Sequence, residues 1–108
     1  MPQKKRVGPE PVEPVTHQGI RFEAIHWGKS RGLDQNGGYI AAIDTATDEE
    51  LWLLKVYDVI YDGDMEADKQ DLFIERISID AARNYLIVEH ERGGRYRVDL
   101  DSRKVEMT

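Results

Sequence analysis

Three histidines, three serines and one alternating run of carboxylates are the residues whose chemistry could make a site in this 108-residue chain. His17, His26 and His90 are far apart and show none of the paired spacing of a metal motif. Ser30 lies in a glycine-containing loop, Ser78 in a strand pattern and Ser102 in a turn, so nothing resembles a nucleophile elbow. Cysteine is absent, which removes disulfides, thiolate zinc sites and thiol nucleophiles together. The glycine-rich stretch "RGLDQNGG" lies between two strand patterns and opens no helix, unlike a phosphate-cradling loop. The expectation is a non-enzymatic protein with no catalytic residue, no metal site and no cofactor.

The carboxylates are more informative. Asp62, Asp64, Glu66 and Asp68 alternate in "DVIYDGDMEADKQD", and an extended backbone would set them on one side. From Asp44 to Asp71 there are ten acidic residues against Lys55 and Lys69, whereas the whole chain carries a net charge of −6. Concentrated negative charge repels phosphates and attracts basic partners, so these four residues are the candidate partner-binding surface for another protein. A calcium loop of the helix-loop-helix type would need glycine and glutamate where Ala67 and Phe73 stand.

A second candidate is a ligand pocket around His26, Trp27 and Asn36, where an aromatic wall, a titratable group and an amide flank one glycine-rich loop. Such a pocket would carry the alternative reading, a small β-domain with a cryptic activity. Arg92, Arg95 and Arg97 beside Tyr96 suggest phosphate and base contacts. Glu89, Glu91, Asp99 and Asp101 interleave with them, so a hairpin with a charged outer face is expected and nucleic acid is not.

The elements that must position these groups are strands. Residues 1–18 hold all four prolines and no periodicity, which reads as a disordered proline-rich tail before a single β-domain at 19–108. Ile20, Phe22 and Ala24 alternate with Arg21 and Glu23, and Tyr96, Val98 and Leu100 alternate with Arg95, Arg97 and Asp99. "ELWLLKVYDVIY" is apolar on both faces, which predicts a strand buried on both sides or one crossing between two packed layers, with Trp52 inside. Arg92-Gly93-Gly94 signals a hairpin, and in Asp80 to Asn84 the aspartate can cap one helical turn while the asparagine takes a left-handed conformation. The sum is an all-β antiparallel meander of about seven strands, packed as a small sandwich or partly open barrel. No apolar run follows the basic start, so neither a secretory signal nor a membrane span is expected and a cytoplasmic location is the default. Open sheet edges would leave the protein a monomer or a homo-oligomer.

Within this pattern "YIAAIDTATDEELW" resembles one blade repeat of quinoprotein-type β-propellers, with Ala42, Asp44, Thr47 and Trp52 at the matching positions and Asp48 where the repeat usually has glycine. "RVDLDSRKVEM" sets a fainter copy beneath it, Asp99 under Asp44 and Met107 under Trp52, at an offset near the blade length of several propeller families. The resemblance implies two blade-like sheets sharing a turn grammar. The cofactor of that family needs a ring of blades that this chain is too short to build.

Overall fold

The structure, a computed structural model, describes residues 11–59 and 71–108. Its strands make two antiparallel four-stranded sheets, each a meander in chain order. The first contains β1 (Val15–His17), β2 (Ile20–Ile25), β3 (Tyr39–Asp44) and β4 (Glu50–Lys55). The second contains β5 (Ile74–Asp80), β6 (Tyr85–His90), β7 (Arg95–Asp99) and β8 (Val105–Met107). The chain is therefore all-β, and the two sheets share one core as in a small sandwich, without closing into a barrel.

Alternation decides which face is buried. Phe22 lies opposite Ala42, which lies opposite Trp52, and Ala24 stands in the same way beside Ile40 and Leu54. In the second sheet Leu86 pairs with Ile79 and Val98, and Val98 with Val105. Phe22, Ile40 and Ala42 from one sheet join Ile77, Leu86, Val88 and Val98 from the other in a single buried cluster. Each sheet hides its apolar face on its neighbour, which is the main force holding the layers together.

Two expectations need correction. The described residues hold eight strands, in keeping with the expected meander of about seven, but one of them, β1, falls inside the segment read as a tail. Gln18 and Gly19, at φ 53° and 76°, supply the two positive-φ positions of a tight hairpin, which lets Val15 reach a register opposite Phe22. Val12 also packs against the core, so the ordered domain begins before Gly19; residues 1–10 of the expected tail lie outside the described residues. The second correction concerns β4, which is an edge strand and is not buried on both faces. A bulge at Leu51, between the pairs Ala42–Trp52 and Ile43–Glu50, leaves that leucine 44% exposed. Trp52 is half-buried, its ring 5.9 Å from that of Phe22.

The two similar turns make matching hydrogen bonds. Asp44 Oδ1 accepts from Ala46 N, and Asp48 N donates to Asp44 O. Asp99 Oδ1 accepts from Asp101 N, and Arg103 N donates to Asp99 O. Asp48 and Arg103 both take positive φ, 63° and 62°. Beyond the turns the copies diverge: Ala42 is fully buried, while Arg97 at the matching position points to the outer face and pairs with Glu106.

Candidate functional site

β2 and β3 are joined by a long connection that runs from His26 to Gly38 and contains a 3-10 turn at Gly28–Arg31. Two glycines let its backbone pack tightly. Gly28 N donates to Asn36 O at 3.1 Å, and a Cβ on Gly28 would stand 2.3 Å from the Gln35 carbonyl oxygen. A Cβ on Gly37 would stand equally close, 2.3 Å, to the carbonyl oxygen of Leu72. Close backbone approach of this kind requires glycine.

Two consecutive amides tie the connection down. Gln35 is 2% exposed; its Nε2 donates to Gly37 O and Tyr57 O, and its Oε1 accepts from Val59 N, each at 2.8 Å. Asn36 Oδ1 accepts from Lys29 N at 3.1 Å, and Asn36 Nδ2 donates to Asp71 Oδ2 at 3.0 Å. Val59 and Asp71 are the described residues on either side of the acidic segment. Asp62, Asp64, Glu66 and Asp68 themselves lie outside the described residues. The two candidate regions of the sequence are thus joined at their roots, and Asn36 is a fastening rather than a spare polar group.

His26 and Trp27 meet one partner. Phe73, 3% exposed, receives the His26 ring edge-on at 5.5 Å and the Trp27 ring at 5.6 Å. Trp27 remains 52% exposed even so, the most exposed aromatic side chain among the described residues. A large apolar ring steadied on one side and wet on the other is the chemistry of an interface anchor.

Charge around this end is organised by Lys55, whose Nζ donates to Asp34 Oδ2 at 2.6 Å and to Asp58 Oδ1 at 2.9 Å. The Tyr39 hydroxyl donates to the other oxygen of Asp34. Lys55 first, and Tyr39 second, hold the Asp34 carboxyl below the ordinary carboxylate range, and the same two carboxylates raise the ammonium of Lys55. Behind them Tyr57 donates its hydroxyl to Leu72 O at 2.7 Å, and burial pushes its ionisation well above the usual phenol range. Its ring stacks on Tyr96 at 5.4 Å and meets His90 at 5.2 Å. His90 Nδ1 accepts from Arg92 N and Gly94 N, so this imidazole shapes a turn.

His17 is elsewhere. Its Nε2 lies 3.0 Å from Asn84 Oδ1, beside a cleft of about 100 Å³ floored by Phe22 and Trp52. Each histidine has its own surroundings, and among the described residues no three His, Asp or Glu side chains gather as a metal would require. Sequence reasoning missed Gln35 altogether, since a glutamine in "LDQNGG" carries no mark that separates a buried staple from a solvated turn. Among the described residues no helix is long and apolar enough to cross a membrane. Compared with protein-family models, with curated proteins and with solved structures, the chain matches none.

Proposed function

We propose that the protein is a non-enzymatic interaction domain that docks a basic partner protein on the Trp27 end of the sandwich. Trp27 supplies the apolar anchor, and Asp62, Asp64, Glu66 and Asp68 supply the attracting charge. The observation that carries this reading is the shared anchorage: Gln35 and Asn36 fasten the loop that presents the exposed Trp27 and also hold Val59 and Asp71, which flank the acidic segment. An exposed tryptophan whose loop shares its anchors with an acidic stretch of sequence suits a partner with lysine or arginine around an apolar socket. On this reading the likeness to a propeller blade reflects the Asp44 and Asp99 turns, and brings no cofactor with it.

The partner recovered from native extract is the reagent for the test. Amide replacement of the four carboxylates should slow its association at low salt, because steering by charge acts mainly on the on-rate. Trp27→Ala should raise its dissociation rate. If neither variant differs from wild type, or if native mass spectrometry finds a retained metabolite in place of a protein, the ligand-pocket reading of His26, Trp27 and Asn36 replaces this one.

A further inference from the structure

A surface of opposite sign lies on the outer face of the second sheet. Arg83, Arg95 and Arg97 line a shallow concavity of about 290 Å³ together with Asp80, Tyr85 and Ile87. Arg95 and Arg97 are alternate residues of β7, so their side chains leave the same face about 7 Å apart. Positive charge is unusual on a chain of net charge −6, and here it is only partly compensated: Arg83 pairs with Asp80 at 3.1 Å, while Arg95 and Arg97 are less well matched. Glu89 stands opposite Arg95 in the ladder yet gives both carboxylate oxygens to Arg76. Arg95 is exposed and makes no ion pair among the described residues. Arg97 reaches Glu106 only at 3.4 Å, and its Nε is buried without an acceptor among the described residues. Asp99 Oδ1 accepts from the N–H groups of Asp101 and Ser102, and Asp99 makes no ion pair with these arginines.

We propose that this face binds an extended acidic peptide segment of a partner protein, with carboxylates at alternate residues seated on Arg83, Arg95 and Arg97. A strand-like peptide repeats its side chains with the period of β7, and guanidinium groups take carboxylates in charge-assisted pairs. A nucleic acid fits less well. The Tyr85 ring is covered by the Arg97 guanidinium at 5.3 Å, and Tyr96 is stacked on Tyr57, so neither offers a clear face to a base.

The test is fluorescence anisotropy of the full chain with a labelled synthetic peptide of about ten residues alternating glutamate and threonine, a length that spans the face. Binding should weaken as salt is raised, and Arg95→Gln with Arg97→Gln should lower affinity about tenfold or more. Arg92→Gln, which removes the same charge from a turn outside the concavity, should leave it unchanged, as should Trp27→Ala, so this face and the Trp27 end fail independently. If the Arg97 substitution lowers the melting temperature, Arg83→Gln with Arg95→Gln gives the same reading from exposed positions. Equal binding of a peptide with glutamine for glutamate would overturn the proposal. So would undiminished binding by a folded double variant, or preference for a single-stranded oligonucleotide that is lost in that variant.

Discussion

The two sheets join their second and third strands in opposite ways. Between β6 and β7 the chain spends only Glu91 to Gly94, and most of the turn is satisfied locally: Gly93 N donates to His90 O, His90 Nδ1 collects the N–H groups of Arg92 and Gly94, and only Glu91 reaches outward, to Phe73. Between β2 and β3 it runs from His26 to Gly38, and the fastenings go outward to Tyr57, Val59 and Asp71. Both end in a glycine pair, with Gly38 at φ 88° and Gly93 at φ 89°. A hairpin needs only the short version. The added length is pinned by the buried Gln35 yet still presents an exposed tryptophan, and it is on this difference that the proposed docking end rests.

Removing the outward fastening should have the largest effect. Gln35→Leu keeps the volume but strands two carbonyl groups and one N–H, so it should destabilise the protein by about 3 kcal/mol, read as a lower urea midpoint. A midpoint equal to wild type would mean that the long connection is held by packing alone. The short connection should fail for a steric reason instead. Gly94→Ala would set a Cβ 2.1 Å from His90 Nε2, and the ring is wedged by Tyr57 and Tyr96, so a loss of about 2 kcal/mol is expected. If that variant melts normally, His90 has room to swing and the turn is less rigid than its hydrogen bonds imply.

Trp27→Ala separates fold from contact. The ring touches Phe73 but is half in water, so thermal melts should register less than about 1 kcal/mol, well below the ~3–5 kcal/mol of a buried aromatic. A larger loss would make Trp27 a core residue and take the anchor away from the proposed docking end.

What could be read from the sequence follows the local rules. Alternation in "IRFEAI" and "RYRVDL" sets the buried faces, and Asn84 and Gly93 take the left-handed conformations their turns demand, because these are effects of adjacent residues. β1 was hidden by the prolines that precede it, since three residues gain strand character only from the turn at Gln18-Gly19. The edge position of β4 was equally hidden: Trp52 is partly open where, among the described residues, no further strand pairs with β4, a property of sheet order and not of "ELWLLK". Gln35 and Asn36 were beyond reach for the same reason, as their partners come from Tyr57, Val59 and Asp71, far along the chain.

The smallest effect should appear in acid. Asp34 is held below the ordinary carboxylate range chiefly by the hydrogen bond from Lys55, with Tyr39 adding to it. A carboxylate whose folded-state pKa is depressed contributes stability that is complete above its unfolded pKa and disappears as the pH falls through the folded value. Asp34→Asn lacks that contribution at every pH. Melting temperatures of the variant and the wild type should therefore differ slightly at neutral pH and converge only as the pH falls well beneath the ordinary aspartate range. Because the pair is exposed, about 0.1 M salt should shrink the difference as well. The short connection supplies the control: Arg92 makes no ion pair among the described residues, so Arg92→Gln should follow the wild-type acid profile in parallel. Convergence in the Arg92 variant as well would place the acid sensitivity in the whole surface, and the lysine-centred cluster would no longer distinguish the long connection from the short one.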